Sequence, residues 1–147
     1  MTAAMPKTKA QDTLFAPGRN CWRAVPAGRA AFLVDAEDYY RAFMSAAMRA
    51  TRSIIILAWD FDSRTRLCCD EGKDDPPQVL GAFLNYLVDR RPDLHIYVLD
   101  WDYPLVYGTD REIPPPYGLG WVPHRRVHLR YDNTHPVAGS HHQKVVV

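Results

Sequence analysis

The sequence lacks several features that define common classes of protein. No run of 18 or more apolar residues is present, so we expect no segment to cross a bilayer as a helix. The first twenty residues have no apolar core of signal-peptide length, which predicts a cytoplasmic protein, compatible with peripheral membrane association. Only three cysteines occur, two of them adjacent at Cys68 and Cys69, and this spacing is not that of a disulfide framework.

The sequence also lacks a strong excess of charge. Its formal net charge is +1, from 18 Lys and Arg residues against 17 Asp and Glu residues. Proteins that coat nucleic acid or anionic membranes usually carry a pronounced positive field. Nucleic acid is therefore a less favoured partner, although it is not excluded.

What the 147 residues do contain is ordinary globular composition, with 47% hydrophobic residues, enough for one buried core. Residues 1–28 are rich in Pro and Gly and show no periodicity, which predicts a loosely ordered lead-in. Residues 29–147 form the predicted domain. The sequence ends within the apolar run 145–147, from which we expect it to be the front part of a longer protein.

The hydrophobic pattern predicts strands that alternate with helices. Helical spacing of apolar residues favours helices over 39–48 and 79–88, the first capped by Asp35 and the second stopped by Pro92. Apolar runs predict strands at 30–34, 54–58, 94–99 and 127–131, and from 143 to 147. The strand at 54–58 is expected to be buried on both faces. This order indicates an α/β/α layered sandwich with a mostly parallel or mixed sheet, in which ligands bind beyond the carboxyl ends of strands.

Five histidines are concentrated in the last 24 residues, and three interpretations of them compete. The first interpretation is a metal site formed by His124, His128 and His135. The second is that the histidines are ordinary polar loop residues. The third is a catalytic pair, because a strand would place His142 and Lys144 on the same face. An imidazole is a nucleophile or a proton shuttle near neutral pH, and an ammonium beside it neutralises a phosphoryl oxygen.

The stretch 139–147, GSHHQKVVV, resembles the phospholipase D superfamily, which is marked by the motif H-x-K-x4-D. His142 and Lys144 supply the first part of this motif, and His141 gives the doubled histidine that is common there. The run 53–62, SIIILAWDFD, is similar to the early strand of that family with its polar and aromatic end. The likeness covers about residues 29–147, and the aspartate of the motif would fall two residues beyond Val147.

The resemblance implies a phospholipase D-like phosphodiesterase or phosphatidyltransferase that works through a phosphohistidine and needs no metal or cofactor. It implies that His142 is the nucleophile or its acid–base partner and that Lys144 clamps the phosphate. The family uses two such motifs, so the second half of the site is expected in cis or from a homodimer. By itself this chain is expected to be inactive.

Residues at the edge of this predicted site are candidates for binding substrate. They are Trp59, Asp60, Asp62, Ser140 and His141. The favoured substrate is a phospholipid, because the loop at 101–123 is rich in Trp and Tyr, which suit membrane interfaces as well as packing over a sheet. A nuclease of the same superfamily and a truncated module without catalysis are the alternatives.

Overall fold

The protein is described from a computed structural model, which covers residues 14–68, 75–102, 112, 120–136 and 139–147. Cys69 and the loop aromatics Tyr103, Tyr107 and Tyr117 lie outside the described residues, as do residues 1–13 of the predicted lead-in. The chain divides into two compact units, Met1–Phe32 and Leu33–Val147. In the described part of the first unit, a tight turn at Gly18 (φ 81°) closes a bridge between Pro17 and Cys21.

Among its described residues, the second unit is an α/β structure with two helices and a four-stranded mixed sheet. Its elements are α1 (Ala36–Ala47), β1 (Ser53–Ala58), α2 (Leu80–Arg90), β2 (His95–Trp101), β3 (Val127–Asp132) and β4 (Val145–Val146). The sheet order is β3-β2-β1-β4, with β1, β2 and β3 mutually parallel and β4 antiparallel to β1. The predicted α/β class and the mixed sheet are therefore confirmed at this level.

The predicted strand at 30–34 is wrong. This stretch is irregular, and its large side chains are open to solvent, with Phe32 fully exposed and Val34 89% exposed. Only Val34 in it is β-branched, so its strand preference is weak, and the N-cap of α1 follows at once. Without a partner strand, a short apolar run of this kind does not form a ladder.

The expectation that 54–58 is buried on both faces is also wrong. Along β1 the side chains alternate: Ile54, Ile56 and Ala58 are buried, whereas Ser53 and Ile55 are exposed. Both helices pack on the buried side, where they join one hydrophobic cluster with β1 and β2. Among the described residues no helix covers the other face of the sheet. The side chains of β1 therefore alternate between a buried and an exposed face.

Helix α2 fills the centre of the core because its apolar residues recur on one side. Phe83, Leu84, Leu87 and Val88 have no exposed surface at all. The helix ends at Arg90, two residues before Pro92, as the pattern predicts. The Arg126 guanidinium, which precedes β3, donates to the Val88 carbonyl oxygen and so satisfies an acceptor of the last helical turn. None of the described helices has the length and apolar content required to cross a bilayer.

The start of α1 provides a prediction on stability. The Asp35 carboxylate accepts a hydrogen bond of 3.0 Å from the Asp38 amide, as the sequence predicts for an N-cap. Asp35→Ala should lower the free energy of unfolding by about 1 kcal/mol, because the amide loses its partner. Urea denaturation measures this loss. Asp35→Asn retains an acceptor and should lie close to the wild type, and equal losses in both variants would contradict the capping role.

Candidate functional site

The predicted site residues meet at one edge of the sheet for a topological reason. The parallel strands β1, β2 and β3 end at the same edge of the sheet. Trp59 directly follows β1, Trp101 is the last residue of β2, and Asp132 is the last residue of β3. Strand β4 runs in the opposite direction, with Leu57 paired to Val145. The residues that precede Val145 therefore lie beside those that follow β1, although they are far away along the chain.

The indole of Trp59 is the centre of this cluster. Its Nε1 donates to the Ser140 Oγ at 3.1 Å, across 81 positions of sequence. The His142 ring stacks on it, with centroids 5.2 Å apart and planes 24° apart. The Lys144 Nζ lies 5.6 Å from the ring centroid, at a distance where a cation is attracted by an aromatic face. One side chain thus contacts three of the five polar residues in the stretch 140–144.

His142 and Lys144 come together by a different route from the predicted one. Strand β4 begins at Val145, so neither residue lies in a strand and the expected alternation of faces does not operate. Instead both contact Trp59, and the Lys144 ammonium donates to the His142 carbonyl oxygen at 3.2 Å. Both side chains belong to exposed residues, so a ligand in solvent can reach the imidazole and the ammonium.

His141 points to a different partner from its neighbour. Its Nε2 lies 3.5 Å from the Asp132 Oδ2, within ion-pair distance when the imidazole is protonated. Hydrogen bonds from Thr134 hold the pKa of Asp132 below its usual value, with smaller contributions from His141 and His135. Asp132 was not among the residues predicted from the sequence, although its position at the carboxyl end of a parallel strand is a signal that could have identified it.

A buried aromatic residue, Trp101, packs against the Trp59 indole. Trp101, the last residue of β2, is 8% exposed and stacks on Trp59 with centroids 5.9 Å apart. The His135 ring meets it edge-on at 5.6 Å, and the His135 Nε2 lies 3.1 Å from the Asp102 carbonyl oxygen. Trp101 therefore packs against Trp59 and His135 at the end of β2. Trp121 packs against the hydrophobic cluster, and its ring lies 5.7 Å from that of Phe61.

A cavity of about 440 Å³ opens beside Lys144. Its walls are mostly apolar or aromatic, and they include Tyr39, Tyr40, Phe43, Ile56, Phe61, Leu80 and Val146. Asp60 and Asp62 also line it, but His142 does not. Partial burial raises the pKa of Tyr39, and the neighbouring Tyr40 raises it further. Tyr39 keeps its phenolic proton at neutral pH.

The two carboxylates predicted to bind substrate are not equivalent. Asp62 is held by Arg64, whose Nε and Nη2 donate to its two oxygens at 2.9 and 2.6 Å. The Arg64 side chain accordingly lowers the pKa of Asp62. Because its oxygens already accept these bonds, Asp62 shapes the cavity wall as part of an ion pair. Asp60 lies on the same wall, directly after Trp59.

The depressed pKa of Asp132 predicts a pH-dependent contribution to stability. An aspartate in an unfolded chain has a pKa of about 3.9. The folded-state pKa is lower, so the carboxylate stabilises the fold above that pH, and the contribution is lost as pH falls through the folded-state pKa. Asp132→Asn should therefore lower the free energy of unfolding at pH 7 but not in strong acid.

Urea denaturation of both proteins at several pH values between 7 and 2 measures this dependence. The exposed Asp93→Asn is a matched control, since it removes one carboxylate elsewhere on the surface. A difference between Asp132→Asn and wild type that stays constant over the whole range would show that the hydrogen bonds from Thr134 do not act on the charged form.

The other histidines have separate environments. The His124 Nε2 lies 3.6 Å from an Asp89 oxygen, and His128 pairs with His95. In the part of the chain that the structure describes, no group of three or more His, Cys, Asp or Glu side chains is placed to hold a metal ion. The sequence-based zinc site at His124, His128 and His135 is thus not assembled among these residues.

Comparison with known proteins assigns no family. No protein-family model matches the chain, and no curated protein matches it. The function is therefore inferred from the site itself.

Proposed function

We propose that this chain supplies one half of a phospholipase D-like active site, which hydrolyses phosphodiesters or transfers a phosphatidyl group. The observation that carries this proposal is that His142 and Lys144 both contact Trp59. The ring centroids of His142 and Trp59 are 5.2 Å apart, and the Lys144 ammonium lies 5.6 Å from the centroid of the indole. Attack on a phosphodiester requires a nucleophile with a cation close to it, and both are present here at a solvent-exposed edge of the sheet.

The proposed reaction has two steps. A neutral His142 nitrogen forms a bond to phosphorus while the bond from phosphorus to the leaving alcohol oxygen breaks, and a second imidazole gives that oxygen its proton. Water or another alcohol then attacks phosphorus, passes its proton to the second imidazole and breaks the nitrogen–phosphorus bond. Lys144 neutralises non-bridging oxygens in both steps, and no metal or other cofactor takes part.

A second imidazole is necessary because one histidine cannot be nucleophile and general acid at once. The sequence contains one H-x-K motif. We therefore propose that the partner motif comes from a second copy of this chain or from further sequence of the same polypeptide. His141 is a poor substitute, since its Nε2 faces Asp132 at 3.5 Å.

A phospholipid is the proposed substrate class, with peripheral contact between the protein and a membrane. The cavity beside Lys144 offers about 440 Å³ with mostly apolar walls, which suits a substrate that joins an apolar group to its phosphate. The net charge of +1 gives little electrostatic support for a nuclease. Trp59, Asp60, Asp62, Ser140 and His141 would form or support the substrate side of this site.

A transphosphatidylation assay tests the proposal. The complete gene product is incubated with phosphatidylcholine vesicles, a primary alcohol and EDTA. We expect a phosphatidyl-alcohol, because a covalent intermediate can be resolved by either acceptor. Cleavage of DNA without any cleavage of lipid would replace the substrate class by nucleic acid. No turnover of either substrate would favour a module without catalysis.

A further inference from the structure

The described part of the first unit, residues 14–32, holds large apolar side chains in solvent. Trp22 is 89% exposed and Phe32 is fully exposed, and three further residues are more than half exposed, namely Leu14, Phe15 and Val25. Single apolar residues are normal on a protein surface, whereas several in one short segment mark a surface for interaction. This segment therefore presents apolar groups that a partner can bury.

The same segment has an excess of positive charge. It contains Arg19, Arg23 and Arg29 and no Asp or Glu, and all three arginines are exposed. The whole chain has a formal charge of +1, so the residues outside 14–32 together carry −2. The near-neutral total thus conceals a basic segment, whose charge is complementary to that of an anionic surface.

The turn before Trp22 forms its hydrogen bonds within itself. The Arg19 and Asn20 amides donate to the Ala16 carbonyl oxygen at 3.0 and 3.1 Å. The Asn20 side chain accepts from the Ala16 amide at 2.7 Å and donates to the Leu14 carbonyl oxygen at 2.8 Å. A peptide group that leaves water without a partner costs free energy. Because these groups are already paired, the turn can approach a less polar environment without that cost.

We propose that residues 14–32 bind the surface of a membrane that contains anionic phospholipids. Trp22 enters the headgroup region, which accommodates both its apolar rings and its polar N–H group. The arginines contact the lipid phosphates. Binding at such an interface grows with the apolar area buried and with attraction to anionic lipids, and this segment supplies both. The inference rests on the proposed function, since a phospholipid substrate brings the protein to this kind of surface.

Flotation of the complete gene product with lipid vesicles tests this surface. The vesicles contain phosphatidylcholine alone, or phosphatidylcholine with about 30% of the anionic lipid phosphatidylglycerol. Each arginine near an anionic surface contributes about fivefold in affinity, so we expect about a hundredfold tighter binding to the anionic vesicles. The preference should disappear in about 0.5 M NaCl, because salt screens exposed charges. Equal binding to both kinds of vesicle at low salt, or binding to neither, would overturn the proposal.

Two pairs of variants locate the contact. Trp22→Ala should weaken binding to anionic vesicles by at least about tenfold, because the apolar surface of the indole is lost. Val122→Ala, at an exposed apolar residue of the second unit, should leave binding unchanged. Arg23→Gln should weaken binding by about fivefold. Arg52→Gln, at an exposed arginine of the second unit, should have no effect. Full binding in both Trp22→Ala and Arg23→Gln would contradict the assignment.

Flotation is also carried out with His142→Asn, so that binding is measured without turnover of the lipid. Vesicle binding with no phosphatidyl-alcohol formed by the wild type would refute the proposed reaction and leave this surface in place. Turnover with vesicle binding that neither Trp22→Ala nor Arg23→Gln changes would refute the surface alone. Binding of DNA without binding of anionic vesicles would also refute it, and would assign the basic segment to nucleic acid.

Discussion

His142→Asn should abolish transphosphatidylation while the protein stays folded. In the proposed reaction this imidazole either forms the covalent bond to phosphorus or moves the essential proton, and an amide does neither. In hydrolases that form a covalent intermediate, loss of the nucleophile or its base lowers turnover by about 10⁴-fold or more. Because the side chain belongs to an exposed residue that rests on Trp59, its replacement removes little buried surface. The rate with phosphatidylcholine and the far-UV circular dichroism measure the two effects.

The control for this variant is His124→Asn, a histidine that faces Asp89 and has no part in the site. It should retain the activity of the wild type. Activity of His142→Asn within tenfold of wild type would refute a catalytic role for this residue. Loss of the circular dichroism signal together with activity would instead make His142 a structural residue.

The second large effect is expected in the core. Phe83 has no exposed surface and contacts Phe43 of α1 edge-on, with ring centroids 6.1 Å apart. Phe83→Ala should lower the free energy of unfolding by about 3–5 kcal/mol, because the apolar surface is lost and a cavity remains between α2 and the sheet. The total free energy of unfolding of a domain of this size is roughly 5–15 kcal/mol, so the variant should be close to unfolding.

Phe32→Ala is the matched control, since that ring is fully exposed. It should change the free energy of unfolding by less than about 0.5 kcal/mol. Urea denaturation followed by circular dichroism compares the two. Similar losses at both positions would mean that the cluster around Phe83 is not the core that holds α1 and α2 on the sheet.

The elements with strong local signals were predictable from the sequence. The spacing of apolar residues located both helices, Asp35 and Pro92 gave boundaries, and the runs at 94–99 and 127–131 became β2 and β3. The stretch at 30–34 was misassigned because an apolar run says nothing about whether a partner strand exists. The two faces of β1 were misassigned because burial depends on what packs against the sheet, which local sequence does not contain.

The candidate site was predictable in its residues but not in its geometry. The spacing of His142 and Lys144 is visible in the sequence, whereas their shared contact is not, because it depends on the antiparallel pairing of β4 with β1. The indole of Trp59 was expected only to line the site, and its bond to Ser140 spans 81 positions. Asp132 follows a predicted strand, but it was missed because its contact with His141 forms only in the folded protein.

The most direct test of the proposed mechanism is to find the covalent intermediate. The complete gene product is mixed with phosphatidylcholine, quenched within milliseconds at alkaline pH, where a nitrogen–phosphorus bond survives, and digested for mass spectrometry. A phosphatidyl adduct on the peptide that contains His142, lost when a primary alcohol is added, is the predicted result. Product formation with no adduct on that peptide, or the same adduct in His142→Asn, would contradict the assignment of His142 as nucleophile.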